Sequence, residues 1–143
     1  MCNIHLTSTK MCADLEKNYG IVPQKTFILE HPKTLTKEQE YAYIIGYIDG
    51  DGYISYRPRA KFAHIKYFKL GILGRYDMCV WFREKFQNIL GESYIIPNNI
   101  TKDDNIYRFG ISGKYPVNTI LKYLADYNVP KMGRKWNKVY DTL

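Results

Sequence analysis

Two carboxylates, Asp49 and Asp51, stand two residues apart in the run Tyr43-Ile44-Ile45-Gly46-Tyr47-Ile48-Asp49-Gly50-Asp51-Gly52-Tyr53-Ile54. A helical pattern gives way there to an alternating one, so the acids fall at the junction of a helix and a strand. If two such helix tips met, two copies of Asp51 at about 4 Å would repel by roughly 4 kcal/mol at an effective dielectric of 20. A divalent cation between them removes that cost. It would also polarise a phosphate and activate water, which is the chemistry of metal-dependent phosphodiester hydrolysis. Two plainer readings of the same letters fit less well. Asp-Gly is a common hairpin turn, but a helical pattern precedes this one. Asp-x-Asp-Gly also opens a calcium loop, yet Tyr53 and Ala60 fall where that loop needs an oxygen ligand and its closing Glu.

The element that must position these acids is the preceding helix. Thr36 and Gln39 have the spacing of a capping box, and Glu38 and Glu40 suit the positive end of the helix dipole. Ala42, Gly46 and Gly50 recur every fourth residue as a row of small side chains, while Tyr41, Ile44 and Ile48 form a bulky row. A helix apolar nearly all round predicts burial on two sides. Bulky residues suit a sheet, and the small row suits close approach by a second helix, from another repeat or another chain. Each interior glycine costs about 1 kcal/mol relative to alanine, and close packing would offset that.

Ile44 to Gly52, read as IIGYIDGDG, resembles the LAGLIDADG motif of homing endonucleases. The resemblance spans about residues 36–135, and weakly 1–30. It implies an α+β fold of order αββαββα, with a curved antiparallel sheet forming a saddle on DNA. It implies that Asp51 binds the catalytic metal, Mg2+ or another divalent ion, with help from the Gly50 carbonyl. Asp49 would be mainly structural, and Ala42, Gly46, Asp49 and Gly50 would line the helix pair. The family carries a basic residue after its last helix, near the scissile phosphate; Lys25 and Lys135, or its neighbour Arg134, occupy that place here. A lysine there would orient water or stabilise developing charge. Alternatively Lys131, Arg134, Lys135 and Lys138 simply form a basic tail that holds phosphates. The implied activity is site-specific double-strand cleavage of DNA. With one complete motif, the chain would need a second half, as a homodimer or as a separately encoded partner. The alternatives are a non-catalytic nucleic-acid binder (an intron RNA maturase or a DNA-binding regulator) and a decayed endonuclease fragment.

Composition agrees with a nucleic-acid partner. The 143 residues suit one domain with a real core, and a net charge of +7 favours a polyanion. From Gly52 to Arg75 there is no acidic residue, while Arg57, Arg59, Lys61, Lys66, Lys69 and Arg75 are all cationic. Residues 53–60 alternate Tyr53, Ser55, Arg57 and Arg59 against Ile54 and Tyr56, as a half-exposed strand does, with Pro58 marking an edge or an end. Residues 64–73 form its partner. A charge run is usually only a solvated face; this one is single-signed and begins at the carboxylates. A two-stranded ribbon fits the major groove. Cys2, Cys12 and Cys79 are odd in number without CxxC spacing, and His5, His31 and His64 are scattered, so neither a disulfide framework nor a zinc site is indicated. Reduced thiols and the lack of a signal-peptide core or membrane-length apolar run point to an intracellular protein, in bacterial or phage-infected cytoplasm or in an organelle.

Further along, residues 77–90 read as a helix whose Trp81 and Phe82 pack on the sheet, with Gly91 as its stop. Residues 94–96 and 106–111 read as strands. Asn98, Asn99 and 102–105 fall in the loop between them; Asn98, Asn99 and Arg108 could reach bases or phosphates, and an ordinary polar hairpin loop accounts for them equally well. Residues 117–126 read as the last helix. The two ends echo each other: Ser-x-Lys, a helix, Tyr, Gly or Asn, an aliphatic residue, Pro and then basic residues, around Pro23 and again around Pro130. Residues 1–30 are accordingly expected to be the tail of a preceding repeat. Residues 31–35 would be a linker and 36–143 the complete domain.

Overall fold

The computed structural model describes residues 7–19, 30–59 and 62–140, with the side chains of residues 19, 57–59, 62–67, 138 and 140 excepted. It is an α+β fold. Helix α1 (Thr9–Tyr19) comes first. Helix α2 (Lys37–Asp51) runs into strand β1 (Gly52–Arg59), which turns into β2 (Phe62–Gly74). Helix α3 (Tyr76–Leu90) is followed by β3 (Thr101–Asp103) and β4 (Ile106–Ser112), then α4 (Lys114–Ala125) and α5 (Gly133–Tyr140). From α2 to α4 the order is the expected αββαββα. The four strands form one antiparallel sheet in the order β1-β2-β4-β3.

The sheet is two-faced, as period-2 alternation requires. Ile54, Leu70 and Ile111 stand side by side across three strands, and Ile72 pairs with Phe109. Leu70, Ile72, Phe109 and Ile111 are buried beneath the helices, together with Ile44, Ile45 and Ile48 of α2, Phe82 and Phe86 of α3, and Ile120, Leu121 and Leu124 of α4. The bulky row of α2 therefore meets the core, as its spacing predicts. The small row does not. Gly46 and Gly50 are exposed, and a Cβ added to either would have no heavy atom within 4 Å.

Two segments differ from expectation. Residues 94–96 are not a strand, because side chains of α3 take their backbone groups: Gln87 bonds the Tyr94 carbonyl and the Ile96 N–H at 2.9 and 2.8 Å, and Arg83 donates to the Ile96 carbonyl at 3.1 Å. The strand is instead Thr101–Asp103, within the stretch read as loop. Its turn is closed by Asp104 at φ 53°, a left-handed conformation that Asp tolerates. The second segment is α5. Read as a basic tail, it is a helix whose Trp136 and Val139, three residues apart, are fully buried.

Candidate active site and nucleic-acid interface

Helix α2 starts as its sequence dictates. The Gln39 N–H donates to Thr36 Oγ1 at 3.4 Å, and the Thr36 N–H donates to Gln39 Oε1 at 2.9 Å, closing the capping box. At its other end the chain leaves the helix directly into β1. The Gly52 N–H reaches back to the Ile48 and Tyr47 carbonyls. A Cβ at Gly52 would lie 2.6 Å from the Ile48 Cα, so only glycine lets helix and strand meet this closely. Asp51, the last helical residue, is exposed and stands at the root of the cationic strand.

Asp49 points the other way. Its Oδ2 accepts the Met132 N–H at 2.9 Å and its Oδ1 accepts the Trp136 indole N–H at 2.7 Å. A carboxylate at the start of α5 complements that helix's dipole, and it supplies the partner that a buried indole needs. Asp49 thus faces α5 inside its own chain and holds it by two hydrogen bonds. Lys135 returns the arrangement. Its ammonium lies 2.6 Å from the Ile48 carbonyl oxygen, 2.8 Å from that of Asp49 and 2.7 Å from that of Gly52. An ammonium carries three protons, so each is engaged by a carbonyl at the negative end of α2. Burial pulls the Lys135 pKa below its ordinary value, aided by the nearby Arg134 charge and opposed by Asp49 and Asp51. The expectation that Lys135 faces a scissile phosphate meets a different geometry: the lysine closes the end of the motif helix. Arg134 is exposed, with its Nε 2.7 Å from the Met132 sulfur.

The open face of the sheet carries Tyr53 and Ser55 from β1, Lys69, Gly71 and Leu73 from β2, and Arg108, Gly110 and Ser112 from β4, by the strand register. Lys69 and Arg108 are exposed. Arg108 pairs with Asp103 on the neighbouring strand. The Tyr53 phenol lies across the sheet. Its hydroxyl lies 2.5 Å from where Gly71 and Gly110 would carry a Cβ. At Gly71 the Phe109 carbonyl oxygen stands only 2.6 Å from that Cβ as well, so that position requires glycine, whereas at Gly110 the tip of the phenol alone would have to swing aside. Burial raises the Tyr53 pKa, with the Arg108 charge opposing.

Other expected contacts fall elsewhere. Arg75 is at the start of α3, where its Nε bonds Asp77 at 3.0 Å. Asn99 donates its side-chain amide to the Gly110 carbonyl, so it serves the sheet's own backbone, while Asn98 is exposed. Lys25 and Lys61 lie outside the described residues, and the side chains of Arg57, Arg59 and Lys66 lie outside the described side chains. Ala42 is half-buried beside the exposed Gly46 and Gly50.

The chemistry of the donor set fits a hard divalent cation only as a shared site. Asp51 gives one carboxylate, and the Gly50 carbonyl adjoins it at the negative end of a helix. Among the described residues no group of three or more His, Cys, Asp or Glu converges. Mg2+ commonly takes one or two carboxylates and completes its shell with water and substrate phosphates, so a second half and the nucleic acid would supply the remainder. Among the described residues no helix is long and apolar enough to cross a membrane.

No protein-family model and no curated protein matches the chain. Similar solved structures include the homing endonuclease I-CvuI in complex with its target Sro1.3 in the presence of 2 mM Ca, at 22% identity and a TM-score of 0.45, and the same endonuclease with the I-CreI target C1221 in 2 mM Mg, with the DNA not cleaved, at 21% identity and 0.43. The match covers 63% of this chain and 57% of those endonucleases, so the chain spans little more than half their length.

Proposed function

We propose that this chain is one half of a metal-dependent DNA endonuclease of the LAGLIDADG homing type, acting with a second copy of itself or a separately encoded half. The observation that carries the reading is Asp51. It is exposed at the tip of a helix that passes without a loop into a strand of the open, cationic sheet. A carboxylate facing phosphates only weakens binding unless a cation joins them. The small row of half-buried Ala42 and exposed Gly46 and Gly50 would receive the partner's motif helix and bring two Asp51 side chains together. Asp51 and the Gly50 carbonyl would hold the ion, Mg2+ by preference. When bound, it supplies phosphate polarisation and an activated water. This chain's own contribution is to present Asp51 rigidly and to lay duplex DNA on the face bearing Tyr53, Ser55, Lys69 and Arg108.

Replacing Asp51 with Asn tests the reading. Cutting of a cognate duplex should fall by at least about a hundredfold as the metal carboxylate is lost. Duplex binding measured without divalent metal should be unchanged or slightly tighter. Undiminished cutting would remove Asp51 from the mechanism, and a preference for folded intron RNA over duplex DNA in the same binding assay would favour a maturase.

A further inference from the structure

We infer that Lys135 is a positioning residue: a single ammonium that grips the backbone on both sides of Gly50 and Asp51 and so fixes the direction of the metal-binding carboxylate. The inference rests on the proposed role of Asp51 and concerns how that role is set up.

The carbonyls that Lys135 holds belong to Ile48 and Asp49 on one side of the Gly50-Asp51 pair and to Gly52 on the other. The last carbonyls of a helix have no partner within it. Here they also carry the dipole's negative end beside two carboxylates, so they repel one another and the acids. No basic residue of α2's own last turn offsets this. The cation comes instead from residue 135, and its position is fixed from the opposite direction by Asp49, which holds Met132 and Trp136 at the start of the same helix. Five hydrogen bonds thus close a loop of contacts: α2 lends a carboxylate to the start of α5, and α5 lends an ammonium to the end of α2. Trp136 is fully buried, so α5 cannot slide to release the lysine without withdrawing an indole from the core. With its three protons on carbonyls, Lys135 has none left for a phosphate or a water. Its effect must pass through the backbone that carries Asp51.

The experiment uses the full chain with three variants. Lys135→Met removes the ammonium and keeps the apolar stem. Trp136→Phe keeps an aromatic ring in the core and removes the bond to Asp49, with a smaller buried volume than the indole. Asp51→Asn reports separately on the proposed function. In metal-free protein, hydrogen exchange at the Gly52 amide should quicken at least about tenfold in Lys135→Met, as expected for local opening of a helix end, while the Leu70 amide in the central strand stays protected. With duplex present, the Mn2+ midpoint for binding, read by Mn2+ electron paramagnetic resonance, should rise about tenfold, with a smaller rise in Trp136→Phe and near-loss in Asp51→Asn. Saturating Mn2+ should restore most of the cutting in Lys135→Met, as for an interaction that acts on ion affinity. The inference fails if Lys135→Met leaves Gly52 exchange and the Mn2+ midpoint unchanged, which removes the positioning role, or if cutting stays abolished at saturating metal, which makes Lys135 a direct participant. Should Lys135→Met not fold, Trp136→Phe carries the same two readouts, and an unchanged midpoint there overturns the inference. Undiminished cutting by Asp51→Asn sinks the proposed function instead, whatever the lysine does.

Discussion

The two ends of α2 are closed by opposite means. Its start is tied by Thr36 and Gln39, three residues apart and exposed. Its finish is tied by groups 83 to 87 residues further on, Met132, Lys135 and Trp136. A local cap stabilises the helix wherever it goes. A remote one stabilises it only when α5 has already docked, so the acidic tip takes its final form as part of the assembled core.

That contrast can be broken from either side. Trp136→Ala should have the largest effect. It empties a fully buried indole site and strands Asp49, and should cost about 3–5 kcal/mol by urea unfolding, with Gly52 losing protection before the sheet does. Thr36→Ala should cost about 1 kcal/mol and leave exchange at Gly52 untouched. An equal effect of both changes at the tip would mean that the two ends are not independent. Gly46→Ala should have the smallest effect and the opposite sign. With open space around the added methyl, the isolated chain should gain about 0.5–1 kcal/mol. If the small row receives a second motif helix, the same methyl should weaken self-association in sedimentation. A variant that is both more stable and equally associated would place the pairing surface elsewhere.

This difference also sets what was legible beforehand. The capping box, the bulky row, the passage from helix to strand at Gly52 and the helix carrying Trp81 and Phe82 are written in short-range spacing, and the residues stand as read. The clasp is not, because nothing in the spacing of Asp49, Lys135 and Trp136 says that they meet. A signal was present all the same: Trp136 and Val139 have helical spacing inside a stretch dominated by basic residues. The shifted strand has a similar cause. Tyr94, Ile95 and Ile96 have strand composition, but Gln87 and Arg83 of α3 hold the backbone there, a tertiary override that local propensity cannot register. Charge alone could not show that Arg75 and Arg108 each have an acidic neighbour, Asp77 and Asp103, which fall outside the acid-free stretch.

Tyr53, Gly71 and Gly110 sit in one row across three strands, with the phenol spread over two positions that have no side chain. Positions 53 and 110 are bound to drift together: a methyl at 110 meets, closer than 3.0 Å, only the tip of the phenol, whereas 71 is held as glycine by the Phe109 carbonyl as well. A lineage that shrinks residue 53 bares two stretches of main chain at the middle of the sheet. Among related sequences, correlated replacement at columns 53 and 110 should therefore be more visible than any change at column 71.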